Sequence, residues 1–97
     1  MPYAVQQTEV FRAWHKGLRD LTASIAIARR LERAADGNLG DVKSVGEGIS
    51  EMRIDVGVGY RAYFTMRGNT IVVLLCGGDK KTQKHDIKHA AQLAKEV

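Results

Sequence analysis

The sequence predicts an α+β domain: two helices, then an antiparallel sheet, then a closing helix. Two changes of period carry that prediction. Apolar residues recur at helical spacing up to about residue 36 and again after Thr82, whereas the segments 49–56 and 60–67 alternate apolar and polar with period two. A third observation concerns continuity. No repeat, low-complexity tract or Pro/Gly/Ser linker interrupts the 97 residues, so a single domain spanning 1–97 is expected.

Residues 3–7 suit a short strand, although their alternation is weak. Thr8 offers an N-cap with Glu9 in the first turn, where the helix dipole favours an anion, and Phe11, Trp14 and Leu18 follow at helical spacing. Asp20 offers a second N-cap. The helix after it carries Leu21, Ile25, Ala28, Leu31 and Ala35 on one face, with Ile27 and Ala34 at its edge and Arg29, Arg30 and Arg33 outside. Gly37-Asn38 tolerates the left-handed conformation that ends such a helix.

Val42–Val45 suits a further short strand. In the segment 49–56, Ser50, Met52, Ile54 and Val56 share a face; in 60–67, Tyr60, Ala62, Phe64 and Met66 do. Gly57-Val58-Gly59 suits a three-residue hairpin loop. That loop sets Val56 opposite Tyr60, Ile54 opposite Ala62 and Met52 opposite Phe64. On the other face, which is expected to be exposed, Asp55 would then meet Arg61, Arg53 would meet Tyr63, and Glu51 would meet Thr65. Residues 70–76 read as a buried central strand after the Gly68-Asn69 turn. Thr82 caps a last helix with the stripe Ile87, Ala90, Ala94 and Val97, widened by Ala91 and Leu93; Lys81, Lys84, Lys88 and Lys95 lie opposite, with His85 and His89 alongside.

A hydrophobic fraction of 44% belongs to a folded globular chain, and 15 Lys+Arg against 11 Asp+Glu give a net charge of +4. That excess favours polyanionic partners. Cys76 is the only cysteine, so no internal disulfide forms and a reducing cytoplasm is the expected setting. The first residues lack the basic stretch and long apolar run of a secretory signal, and the longest apolar run, 71–76, is too short to cross a bilayer, so no membrane partner is expected.

Three constellations bear on chemistry. Cutting RNA without a metal requires the 2′-hydroxyl to lose a proton, the leaving oxygen to gain one, and the phosphorane charge to be stabilised. Arg53 and Arg61 on a rigid hairpin suit the last task, since a guanidinium matches phosphate oxygens in a bidentate way, with Tyr63 between them to stack on a base or donate a proton. The same residues also suit ordinary cross-strand ion pairs. Gly77-Gly78-Asp79-Lys80-Lys81 reads either as a loop that lets a ligand approach the backbone or as a tight turn; it lacks Walker A spacing. His85 and His89 share a helical face, but no third metal ligand is evident, and neither a metal nor another cofactor is expected. His85 is the candidate acid or base, since the imidazole is the side chain suited to exchanging protons near neutral pH. Lys81, Lys84 and Lys88 form a basic edge suited to phosphate contacts, or simply a solvated face.

The chain resembles the RelE/HigB-like toxin family, in its addiction-module killer protein branch. The matching residues are Phe11-x-x-Trp14, Gly37-Asn38-Leu39-Gly40-Asp41, Gly46-Glu47-Gly48-Ile49-Ser50-Glu51-Met52-Arg53-Ile54, Gly59-Tyr60-Arg61-Ala62-Tyr63-Phe64, Leu74-Leu75-Cys76-Gly77-Gly78-Asp79-Lys80 and Gln83-x-x-Asp86-Ile87-x-x-Ala90. They span nearly the whole chain in order. The resemblance implies two N-terminal helices on a twisted antiparallel sheet with a concave basic face. It further implies a ribosome-associated, metal-independent endoribonuclease that cleaves messenger RNA and arrests translation, neutralised by a cognate helix-turn-helix antitoxin. By position it implies that Arg53 and Arg61 hold substrate phosphate, that Lys80 flanks the cleft, and that Tyr63 and Glu51 support them. Members differ in their acid and base residues; this chain ends in a helix without a terminal aromatic, leaving His85 as the substitute. A gyrase-directed ParE-like toxin and a non-catalytic nucleic-acid-binding module are the competing expectations.

Overall fold

The caps form where the side chains allow them. The Thr8 hydroxyl accepts from the Phe11 N–H and opens α1 (Glu9–Lys16), and the Asp20 carboxylate accepts from the Ala23 N–H and opens α2 (Leu21–Ala35). Gly37, at φ 99°, then reverses the chain while the Asn38 N–H returns to the Arg33 carbonyl. The computed structural model describes residues 2–97. Its remaining elements are β1 (Ala4–Gln7), β2 (Val42–Gly46), β3 (Ile49–Ile54), β4 (Tyr60–Arg67), β5 (Ile71–Asp79) and α3 (Gln83–Ala94).

The five strands lie in the order β1-β5-β4-β3-β2. Every pairing is antiparallel except β1 with β5, so the sheet is mixed rather than purely antiparallel. α1 and α2 cover one face, where Phe11, Ile27 and Ala34 meet Met52, Ile54, Ala62, Phe64, Val72 and Leu74. α3 covers the other, where Ala90 meets Ile49, Tyr63, Val73, Leu75 and Cys76. The architecture is thus three-layered and α+β, as expected.

Several expectations need correction. First, α2 buries Ala23, Ile27 and Ala34, while Leu21 is 71% and Ile25 46% exposed. The buried stripe thus runs through Ala23, Ile27 and Ala34, four and seven residues apart, beside the one that carries Leu21 and Ile25. Arg30 is turned toward the sheet as well, donating to the carbonyls of Arg53, Leu39 and Asp41.

Second, the β3–β4 loop holds five residues, not three. Asp55 and Val56 leave the ladder, because the Val56 N–H turns back to the Ile54 carbonyl and the Gly59 N–H to the Val56 carbonyl. The parity of the register is as expected, but every pair shifts by two residues: Ile54 faces Tyr60, Arg53 faces Arg61 and Glu51 faces Tyr63.

Third, the hairpin face holding Glu51, Arg61 and Tyr63 is buried beneath α3. Fourth, Gly77, Gly78 and Asp79 are not a loop. They extend β5, opposite Ala62, Arg61 and Tyr60. A Cβ on Gly77 would sit 2.3 Å from the Trp14 ring, and one on Gly78 would sit 1.8 Å from Asp86 Oδ2. These glycines admit the helices on both faces of the sheet. At the far end, Val97 is 41% exposed and leaves the α3 stripe, and the Thr82 side chain makes no backbone cap but bonds Asp86 and Asp79 instead.

Candidate functional site

The alternation of β3 and β4 sends Glu51, Arg53, Arg61 and Tyr63 to the α3 side, and the two-residue shift brings the arginines into direct opposition. Glu51 Oε1 lies 3.5 Å from Arg61 Nε and 3.9 Å from Arg53 Nε, so one carboxylate oxygen serves both guanidiniums. The other oxygen, Oε2, accepts from Gln83 Nε2 at 3.0 Å. Gln83 therefore ties the first turn of α3 to the arginine pair.

The two arginines differ in setting. The Arg61 side chain is 10% exposed and donates from Nη1 to the Tyr60 carbonyl. The Arg53 side chain is 38% exposed and reaches Asp41 Oδ1 at 3.3 Å. From the far side of the sheet, Arg30 holds the Arg53 carbonyl. Among the described residues, three buried donors, Arg53 Nε, Arg61 Nε and the Tyr63 hydroxyl, have no hydrogen-bond acceptor.

Tyr63 is completely buried, so its ring does not stand ready to stack on a base. Its pKa lies well above the usual phenol value because of burial, reinforced by the negative charges of Glu51 and Asp86 and opposed by Arg61. The hydroxyl keeps its proton and stays neutral. Cys76 nearby is likewise pushed up, from 9.0 to about 12, by burial and then by Asp86, whose backbone carbonyl accepts from the thiol. It is an inert core residue.

Lys80 follows β5 directly, and its N–H donates to the Gly59 carbonyl. Gly59, at φ 82°, brings the hairpin loop beside Arg61 and Lys80 alike: a Cβ there would lie 3.7 Å from Arg61 Nη1 and 3.8 Å from Lys80 Cδ. Lys80, Lys81, Lys84 and His85 line an open groove around the start of α3, with Thr82 and Gln83 in its wall. Lys88 lies one turn on, in a second shallow groove with His85, His89 and Gln92.

The fold therefore gathers Glu51, Arg53, Arg61 and Tyr63 in one cluster, sets Lys80 at its rim, and leaves His85, Lys81, Lys84 and Lys88 on the outer side of α3. No contact joins His85 to the arginines. Among the described residues no group of three His, Cys, Asp or Glu side chains is placed to hold a metal. Sequence reasoning missed Gln83, Arg30 and Asp41 as partners of the cluster. Each sits on a different element from the residue it holds, and spacing along one element cannot show that.

Comparison with known proteins agrees with this fold. An uncharacterized protein of Haemophilus influenzae is 46% identical over 97 residues, covering all of this chain and 98% of the relative. Among solved structures, a mutant of the E. coli toxin RelE in the free state superposes with a TM-score of 0.73 at 15% identity, covering 100% of this chain and 99% of that one. The fold is RelE-like, as the sequence resemblance implies. The family model described as "Phage derived protein Gp49-like (DUF891)" matches residues 9–96, and the chain belongs to that family.

Proposed function

We propose that this protein is the toxin of a toxin–antitoxin pair, acting in the cytoplasm as an endoribonuclease that cuts messenger RNA on the ribosome and so arrests translation. The observation that carries the reading is the opposition of Arg53 and Arg61 over one shared, buried carboxylate. A phosphate entering there meets two guanidiniums fixed on adjacent strands. Such preorganised cations stabilise charge that grows on phosphorus far better than mobile ones do.

In this reading the RNA 2′-oxygen attacks the adjacent phosphorus and surrenders its proton, while the 5′-oxygen leaves and gains one. Arg53 and Arg61 hold the non-bridging oxygens, and Lys80 adds positive charge at the rim. Glu51 keeps the guanidiniums aligned, and the buried Tyr63 is assigned a supporting role beside them. His85 lines the α3 groove and is assigned to proton transfer, while Lys81, Lys84 and Lys88 bind the RNA backbone or the ribosome. A cognate antitoxin of helix-turn-helix type neutralises the toxin.

The test is induction of the chain and of Arg61→Ala in a bacterial host, following incorporation of labelled methionine and thymidine and mapping RNA ends. Loss of methionine incorporation with new cuts inside translated messages, abolished by Arg61→Ala, is the expected result. Continued translation with falling thymidine incorporation moves the reading to a gyrase-directed toxin. Binding of RNA without cleavage, on or off the ribosome, reduces it to a nucleic-acid-binding module.

A further inference from the structure

The face of α2 turned away from the core is not a uniform solvated surface. Leu21, Ile25, Arg29 and Arg33 follow one another at four-residue intervals along a single ridge, apolar in its first half and basic in its second. Beside that ridge runs a groove of about 240 Å³ between α2 and the end of β3. Ala26, Ile54 and Val56 supply its apolar surface; Arg29, Arg30 and Arg33 supply its charge. Asp55 is the single carboxylate on its lining, and among the described residues neither Arg29 nor Arg33 makes an ion pair.

We propose that this groove is the docking site for an acidic amphipathic peptide segment of a partner protein. Its aliphatic side chains seat on Ala26 and Val56 and on the exposed Ile25 of the adjoining ridge, and its carboxylates meet Arg29 and Arg33. Charge complementarity selects the occupant. Unpaired guanidiniums beside an aliphatic floor call for carboxylates placed next to apolar side chains. RNA fits the lining poorly, because no aromatic side chain is present for a base to stack on.

The groove opens on the α1/α2 face of the sheet, whereas the arginine pair lies on the α3 face. The two are separate surfaces, so the proposal holds whether or not the chain cuts RNA. They touch at one point only: Arg30 lines the groove and also holds the Arg53 carbonyl.

The experiment is a titration of isotope-labelled full-length protein, followed by amide chemical shifts. The probes are a short synthetic peptide with leucine and glutamate at helical spacing, the same peptide with lysine for glutamate, and a short single-stranded RNA. The glutamate peptide is expected to shift Ala26, Arg29, Arg33 and Ile54–Val56. Arg29→Glu/Arg33→Glu should weaken it about tenfold, as the reversal of two surface charges implies. Lys84→Glu/Lys88→Glu changes the net charge equally and should leave its binding intact. Shifts confined to the α3 groove, equal weakening by both double variants, or stronger occupation of the α2 groove by RNA would each overturn the proposal. So would the absence of any shift in the groove at millimolar peptide.

Discussion

Arg53 and Arg61 stand directly opposite one another on β3 and β4, and Glu51 Oε1 is within ion-pair distance of both. Two like charges on adjacent strands repel, so their pairing holds only while the carboxylate stays between them. Glu51→Gln keeps the shape and removes the charge. The expected loss is about 2–4 kcal/mol of unfolding free energy in urea, because a buried pair is broken on one side only. Gln83→Ala, which removes a single hydrogen bond to Glu51, should cost about 1 kcal/mol. Equal stability of Glu51→Gln and the parent would show that the arginines are held by something else.

Arg30 gives a second prediction. Its guanidinium donates to three backbone carbonyls, those of Leu39, Asp41 and Arg53. Arg30→Ala should cost about 2–3 kcal/mol, as expected for charge-assisted bonds. Arg30→Lys should recover little of it, since an ammonium cannot reproduce the planar fork. Thermal unfolding of the three proteins checks both statements.

The glycines of β5 supply a third. Gly77→Ala drives a methyl group into the Trp14 ring, and Gly78→Ala drives one into Asp86. Each should lose at least about 2 kcal/mol by overpacking. Combining Gly77→Ala with Trp14→Ala should cost less than the sum of the two single changes, because the cavity takes up the methyl group. A double-mutant cycle with no coupling would refute the close approach.

A fourth prediction concerns alkaline pH. Cys76 has its pKa raised from 9.0 to about 12 in the folded protein. A raised folded value means that the thiol's contribution to stability is complete below the unfolded pKa and is lost as pH rises through the folded one. Stability should therefore begin to fall above about pH 8.5, where the unfolded thiol ionises, at about 1.4 kcal/mol per pH unit. Cys76→Ala should flatten that decline up to about pH 10, where Tyr63 begins to contribute with the same sign. Below pH 8 the native thiol should resist a thiol reagent that labels the unfolded chain at once.

Much of the fold was legible because caps and periods are local. Thr8, Asp20 and Gly37 mark their helix ends whatever surrounds them, and alternation sorts β3 and β4 into the correct faces. What failed was set from a distance. Alternation continues through Asp55 and Val56, so nothing in it marks the point where the ladder stops. Leu21 and Ile25 look buried by hydropathy, yet α2 buries the neighbouring stripe of Ala23, Ile27 and Ala34 instead. Gly77 and Gly78 look like a turn until Trp14 and Asp86 are placed over them. In the site, spacing alone could gather Glu51, Arg53, Arg61 and Tyr63; it could not bring in Gln83, which arrives from another layer.

The parallel pairing of β1 with β5 also has a bearing on how the protein is made. Thr8, which opens α1, donates its hydroxyl proton to the Leu75 carbonyl across 67 residues of sequence, and its N–H bonds Leu74. A chain emerging from its N-terminus thus lacks the strand that pairs with β1 until β5 has appeared. Contacts so distant along the chain close late, after most of the loop entropy has been spent. Gln83 and α3 follow later still. Synthesis itself therefore postpones completion of the arginine cluster until α3, which carries Gln83, has followed β5.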